Sequence, residues 1–116
     1  MLLKSEIIFN EDRLYEAELL DFDFDEDEQG EFLVLTFLCY DPECIVTATT
    51  DIELVCKNRT HKWLMAIRGY IPCSSPVPTH HYFDLCNYIT TRVWLRIQTA
   101  KIDFTNYHIV KDILAA

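Results

Sequence analysis

The sequence predicts an all-β domain, a five-stranded Greek-key barrel with one short helix between the third and fourth strands. Three observations predict it. Residues 30–40 form a run dense in leucine, β-branched and aromatic side chains that follows the first glycine of the chain. Residues 14–22 and 92–98 alternate apolar and polar side chains, which is the period of a strand with one buried face. Residues 60–69 have apolar side chains at helical spacing and end in the second glycine.

The composition is typical of a single domain spanning residues 1–116. A chain of 116 residues that is 50% hydrophobic can bury a core but is too short for two ordinary domains. Residues 1–13 are expected to form an N-terminal arm or an extra strand. No run approaches the roughly 18 uncharged apolar residues of a membrane helix, and the start becomes charged too early for a secretory signal. We therefore expect a cytoplasmic protein without membrane contact.

The five cysteines are an odd number and include no Cys-x-x-Cys pair. Free thiols in a reducing compartment explain this pattern more simply than a disulfide framework does. A zinc site built from Cys39, Cys44, His80 and His81 would need an unusual spacing that straddles a turn. We expect no metal and no cofactor.

The first three strands are expected to form a meander. The first, 14–22, places Tyr15, Ala17 and Leu19 on one side. The acidic run 21–29 is expected to be the connection to the second strand, with Gln29-Gly30 reversing the chain because glycine tolerates positive φ.

The second strand, Gly30–Tyr40, has apolar side chains on both faces, and we expect Leu33, Leu35 and Phe37 to line the core. Residues 41–43 have turn chemistry, and the β-branched run 44–50 is the expected third strand.

The second half of the chain contains the helix and a closing hairpin. Asn58 or Thr60 can cap the helix, and Gly69 can close it. The proline-rich stretch 71–79 is expected to be a loop, followed by a helical turn within 82–89. Strand 92–98 and a last strand, 107–114, then pair across the connection 99–106. Three meandering strands, a helix and a hairpin are the element order of an OB-fold.

Six segments carry a resemblance to a known family: 15–19, 30–37, 62–69, 83–85, 91–97 and 107–113. They resemble the small phage and plasmid single-stranded DNA-binding OB-fold proteins and related phage domains of unknown function. The resemblance covers most of residues 14–114. It implies an OB-fold that binds single-stranded DNA in a phage, plasmid or mobile-element setting. Thr90-Thr91 stands where that family has a glycine before the fourth strand.

Single-strand binders of this fold stack bases on aromatic side chains and hold phosphates with cations. Arg92, Trp94 and Arg96 fit this chemistry because one indole lies between two guanidiniums on a shared strand face. The same reasoning adds a platform on the second strand and one cation near the last loop: Phe32, Thr36, Tyr40 and Lys101. The structural alternative is that Trp94 packs under the 72–79 loop and that the arginines are solvated or pair with the acidic half of the chain. For Phe32, Thr36 and Tyr40 it is a second core layer under the loop or a dimer contact.

The charge distribution supports a second class of function. Residues 1–53 hold 16 acids against Lys4 and Arg13, whereas the remainder is mildly basic, and the net charge is −9. Carboxylates repel phosphate, so the acidic run argues against nucleic acid. It can instead dock on a basic protein, as an adaptor or as an inhibitor that mimics DNA, through Asp23, Phe24, Asp25, Glu26, Asp27 and Glu28. The plain alternative is a solvated hairpin loop.

No catalytic constellation is recognisable. The chain contains no Ser-His-Asp order, no HExxH motif and no glycine-rich phosphate loop. We therefore expect a binding protein and not an enzyme. Because both faces of the second strand are apolar, a homo-oligomer that buries one of them is also expected.

Overall fold

The computed structural model describes residues 6–53, 55–73 and 84–116. The elements, in chain order, are β1 (Leu14–Asp27), β2 (Gly30–Tyr40), β3 (Glu43–Asp51), α1 (Arg59–Arg68), a 3₁₀ helix (Asp84–Tyr88), β4 (Arg92–Ile102) and β5 (Thr105–Ala115). The predicted order of five strands with one α-helix between the third and fourth is confirmed. The expectations for residues 74–83, which include most of the proline-rich loop and both histidines of the rejected zinc site, lie outside the described residues.

All five strands belong to one antiparallel sheet with the order β3-β2-β1-β4-β5. The central strand β1 is unevenly paired. It pairs with β2 from Ala17 to Asp27, but with β4 only from Leu14 to Glu18. Within the described chain, the second half of β1 therefore has a neighbouring strand on one side and an open edge on the other.

One face of the sheet carries the core. Leu33, Leu35 and Phe37 are fully buried there, as their alternation predicts, and Ala17 and Leu19 of β1 join them. Of the predicted N-terminal arm or strand, residues 1–5 lie outside the described residues, and residues 6–13 form a docked arm without a strand. The buried ring of Phe9 packs edge-on against Tyr15 at 4.9 Å, and the Phe9 N–H donates to Thr99 Oγ1 at 2.8 Å.

The helix α1 closes one end of this core with Trp63, Leu64 and Ile67. Its cap is Asn58, whose Oδ1 accepts the N–H of His61 at 2.8 Å. Gly69 ends it at a φ of 90°, a conformation that glycine adopts without steric cost. None of the described helices is long and apolar enough to span a membrane.

The expectation that the acidic run connects two strands is wrong. Asp21–Asp27 are strand residues of β1, and only Glu28 and Gln29 form the turn. The strand can continue through this acidic segment because of a bulge between Leu19 and Asp21, in which Leu20 is the extra residue. The bulge reverses the alternation, so that Phe22 and Phe24 pack against the core while the aspartates face outward.

The expectation of five free thiols is also wrong. Cys56 and Cys73 form a disulfide with a Cα–Cα distance of 5.0 Å, because α1 lies between them and folds the chain back. Cys39, Cys44 and Cys86 retain thiols. Disulfides are rare in a reducing cytosol. The inference from free thiols to a reducing compartment therefore loses its support.

The last hairpin and the residue before it also differ from what the sequence suggests. Its strands extend to a turn at Asp103 and Phe104, so the connection is much shorter than the predicted 99–106. Thr90, which stands where the resembled family has a glycine, adopts a φ of 74°. This left-handed conformation is uncommon for a β-branched residue and is the conformation for which glycine is the usual choice.

Candidate interaction face

The side of the sheet opposite the core, here called the outer face, combines carboxylates with apolar side chains. Directly opposed residues in an antiparallel pair project to the same side. Asp21, Asp23 and Asp25 of β1 are therefore the immediate neighbours of three half-buried β2 residues: Thr36, Val34 and Phe32, respectively. Asp27 follows opposite Gly30. We call Asp21, Asp23, Asp25 and Asp27 the aspartate column.

Backbone hydrogen bonds hold the carboxylates of this column. The Oδ1 atoms of Asp21, Asp23 and Asp25 each accept, at 2.8 Å, the N–H of the residue that follows: Phe22, Phe24 and Glu26. These three residues alternate along the strand, and they lie where β1 has no β4 partner. The side chains therefore cap the N–H groups that an added strand would use at this edge.

The aspartate column carries uncompensated charge. In the part of the chain that the structure describes, none of its four carboxylates has an ion-pair partner. Alternate residues of a strand are about 6.6 Å apart, so the column presents about one negative charge at this interval. Glu16, earlier on the same strand, differs because Arg92 Nη1 lies 3.2 Å from its Oε1.

An open groove of about 350 Å³ continues the column at the tip of the β1–β2 hairpin. Its lining includes Asp27, Glu31, Phe32, Asp51 and Arg59. Arg59 is held against the protein, since its Nε donates to Thr50 Oγ1 at 3.2 Å and its Cζ lies 5.0 Å from the centroid of the Trp63 ring. Three carboxylates, one anchored guanidinium and the Phe32 side chain therefore line the same groove.

The structure divides the predicted acidic set between the two faces. Asp23, Asp25 and Asp27 belong to the outer face, whereas Phe24 packs against the core, Glu26 follows it on that side, and Glu28 lies in the turn. Asp21, Val34, Asp51 and Arg59 were not among the predicted interaction residues. The alternation of Asp and Phe in the sequence indicates two different faces, but the bulge at Leu20 determines which of the two residue types faces the core.

Arg92, Trp94 and Arg96 lie on the outer face, but both arginines are already paired with carboxylates. Trp94 is 36% exposed and is flanked along β4 by Arg92 and Arg96. Arg96 Nε donates to Asp112 Oδ2 at 3.2 Å, and its Nη1 donates to the carbonyl of Glu11 at 3.0 Å. A phosphate group would have to compete with these partners and with Glu16 at Arg92.

Tyr40 is the platform residue nearest to this cluster. The Cζ atom of Arg92 lies 5.5 Å from the centroid of its ring. Burial and the Glu18 carboxylate raise the pKa of the Tyr40 phenol, while the Arg92 guanidinium lowers it in part. Tyr40 and Arg92 are thus in contact, and Trp94 follows Arg92 on the same side of β4. Glu16 and Glu18 of β1 lie directly opposite Trp94 and Arg92.

The remaining predicted residues lie elsewhere. Phe32 is eight positions from Tyr40 along β2, a separation of about 26 Å, and Thr36 lies between them. Lys101 is seven positions from Trp94, about 23 Å along β4. Its ammonium group lies 6.0 Å from the ring of Phe104, which is 94% exposed at the β4–β5 turn. The seven predicted side chains therefore do not converge on one site.

The described residues contain no group of three or more His, Cys, Asp or Glu side chains that could hold a metal ion. A scan of protein-family models and a search of curated proteins each found nothing that matches this chain.

Proposed function

We propose that this chain is a non-catalytic binding module that docks a basic segment of another protein on the outer face of β1 and β2. The aspartate column carries the proposal. Its charges have no cationic partner in the described chain, and the neighbouring β2 residues Phe32 and Val34 are apolar and half-buried. Lysine and arginine side chains match this arrangement, because their aliphatic stems cover apolar surface while their heads meet carboxylates.

The binding test uses a labelled ten-residue peptide of alternating lysine and threonine, titrated by fluorescence anisotropy at two salt concentrations. The variant is Asp21→Asn with Asp23→Asn and Asp25→Asn, which keeps an oxygen to accept each edge N–H but removes three charges. Exposed charge pairs contribute about 0.5 kcal/mol each, so the variant should bind roughly tenfold more weakly. Affinity should also fall with salt.

The matched control neutralises three exposed acids that belong to neither the column nor its groove, Glu11→Gln, Asp12→Asn and Asp103→Asn, and leaves the same net charge as the variant. It should bind almost as well as the parent chain. Equal losses in the two proteins would assign binding to total charge instead of the column, and no measurable binding by the parent would exclude the proposal.

A second candidate, single-stranded nucleic acid, is favoured by the cluster of Trp94, Arg92 and Tyr40. An exposed indole between two guanidiniums can stack one base, which contributes about 1–3 kcal/mol. Titration of a labelled oligonucleotide should then show salt-sensitive affinity that falls about tenfold or more with Trp94→Ala. Equal oligonucleotide affinity of the parent and Trp94→Ala would exclude this cluster as the binding site.

We also propose that the sheet closes into an OB-fold barrel. The strand order, the position of α1, and the approach of β3 and β5 Cα atoms to within 8 Å support closure. Nuclear Overhauser effects between protons of β3 and β5 would be expected in solution. A sheet that stays open would show none across this pair.

A further inference from the structure

Two thiols face each other at the end of the β2–β3 hairpin. Cys39 and Cys44 are direct partners in the antiparallel register, two positions inside the turn that contains Asp41 and Pro42. Direct partners have Cα atoms about 4.5–5.5 Å apart and side chains on the same side of the sheet. Cys39 is fully buried in the core, and Cys44 is half-buried against it.

This placement brings the two Cα atoms within the range of a disulfide. Bridged cysteines have Cα atoms about 4.4–6.8 Å apart and Cβ atoms about 3.5–4.5 Å apart. The Cα range includes the spacing of direct strand partners, so a small approach of the two Cβ atoms is sufficient. Cys86, the third thiol, lies in the 3₁₀ helix and not in a strand.

We propose that Cys39 and Cys44 form a second, cross-strand disulfide when the chain meets a disulfide oxidant such as oxidised glutathione. The Cys44 thiolate attacks one sulfur of the oxidant, and the first glutathione leaves as a thiolate. Cys39 then loses its proton and attacks the Cys44 sulfur, and the second glutathione leaves. Two protein thiols are oxidised by two electrons in total, and one oxidised glutathione is reduced to two glutathione molecules.

The environments of the two thiols set the order of these steps. Cys44 is the more accessible of the two thiols and therefore reacts before Cys39. Burial, and secondarily the neighbouring Cys44, raise the pKa of Cys39 to about 11, so little of its thiolate forms at neutral pH. Closure of the protein disulfide is therefore slower than capture of glutathione, and the mixed disulfide at Cys44 accumulates first.

The bond would act on the outer face through the residues next to it. Tyr40 and Glu43 form the next pair toward the turn, and Tyr40 contacts Arg92. A cross-link between β2 and β3 at this point holds the hairpin end that carries Tyr40. The inference does not depend on the proposed ligand of the outer face.

The full chain, with its Cys56–Cys73 bond intact, is incubated with oxidised glutathione at pH 8. Remaining thiols are alkylated, and the unreduced protein is digested with a protease that cleaves after glutamate. Cleavage after Glu43 separates the two cysteines, so the bridge is detected as a two-chain peptide that has lost two hydrogens. Early samples should contain glutathione on Cys44, and late samples should contain the bridged peptide.

Two variants complete the test. Cys39→Ser should stop the reaction at the mixed disulfide on Cys44, and Cys86→Ser should leave the yield of the bridge unchanged. The proposal is overturned if Cys44 of the parent chain keeps its glutathione at equilibrium. It is also overturned if Cys39 and Cys44 are both recovered in alkylated form, or if either is bridged to Cys86.

Discussion

His61 Nε2 lies 2.9 Å from the carbonyl oxygen of Ile71, and this buried hydrogen bond joins the start of α1 to the segment that leads to Cys73. The other ring nitrogen, Nδ1, accepts the N–H of Lys57 at 2.9 Å, so Nε2 carries the proton and donates to Ile71. One neutral imidazole therefore links both flanks of the loop that the Cys56–Cys73 bond closes.

Replacing His61 with phenylalanine should destabilise the fold, because it removes the hydrogen-bond partners of two backbone groups while keeping a ring of similar shape. Each unsatisfied group costs about 1–3 kcal/mol when it is buried, and we expect a loss of about 2–4 kcal/mol in the free energy of unfolding. Urea denaturation measures it. Lys62→Gln, at the exposed next position, serves as the control and should change stability little. A loss no larger than that of the control would show that water replaces the imidazole.

The aspartates at the open edge of β1 have two roles, hydrogen bonding and charge, and substitutions at Asp23 should separate them. Asp23→Asn retains an oxygen that can accept the Phe24 N–H, whereas Asp23→Ala does not. We expect the alanine variant to lose about 1 kcal/mol relative to the asparagine variant and to associate more readily through the uncapped edge. Urea denaturation and light scattering measure the two effects. Identical behaviour of both variants would exclude the capping role.

The Cys56–Cys73 bond should contribute to stability because it joins two residues 17 positions apart and closes a loop that includes α1. For a loop of this length, the restriction of the unfolded chain is worth about 3 kcal/mol. The double substitution Cys56→Ser and Cys73→Ser should lower the free energy of unfolding by about this amount in urea denaturation. Cys86→Ser controls for the change of a thiol to a hydroxyl. Retention of full stability in the double variant would mean that the loop is already ordered in the unfolded chain.

The thiol of Cys39 should make the free energy of unfolding depend on pH in the alkaline range. Its pKa rises from about 9 in the unfolded chain to about 11 in the folded protein because of burial. Between these values the unfolded state releases a proton that the folded state retains, so the free energy of unfolding falls as pH rises from 9 to 11. Below pH 9 the contribution is fully present.

Comparison with Cys39→Ala isolates this effect. Reductant is kept in both samples, so that Cys56–Cys73 is open in each, and urea denaturation is followed from pH 8 to pH 11. The parent chain should lose stability more steeply with pH than the variant does. Parallel curves would indicate that the Cys39 thiol ionises equally in the folded and unfolded states.

The sequence was a good guide wherever structure follows from local chemistry. The period-two alternation of β2 identified Leu33, Leu35 and Phe37 as core, and the Asn58 to Gly69 interval identified the helix with its cap and its end. These features depend on neighbouring residues and on the burial of one face. The outward direction of Arg92, Trp94 and Arg96 was predictable for the same reason.

The candidate site was less predictable because its members depend on pairing between distant strands. The alternation of Asp and Phe within 21–27 was visible in the sequence. An acidic segment is nevertheless typical of a solvated connection, and only its pairing with β2 identifies it as part of a strand. The ion pairs that engage Arg92 and Arg96 join residues 76 and 16 positions apart in the chain. No local pattern indicates such partners.

By itself, the sequence determined the number and order of the strands, the helix between the third and fourth strands, and the core residues of β2, because hydrophobic periodicity and capping act over a few residues. Only the tertiary structure decided which side chains in the second half of β1 face the core and which strands pair with β1. The bulge at Leu20 directs the aspartates outward, and β4 pairs with β1 only as far as Glu18. Register and strand ends are set by packing of the whole sheet, and therefore the open, aspartate-capped edge emerges only when all five strands are assembled.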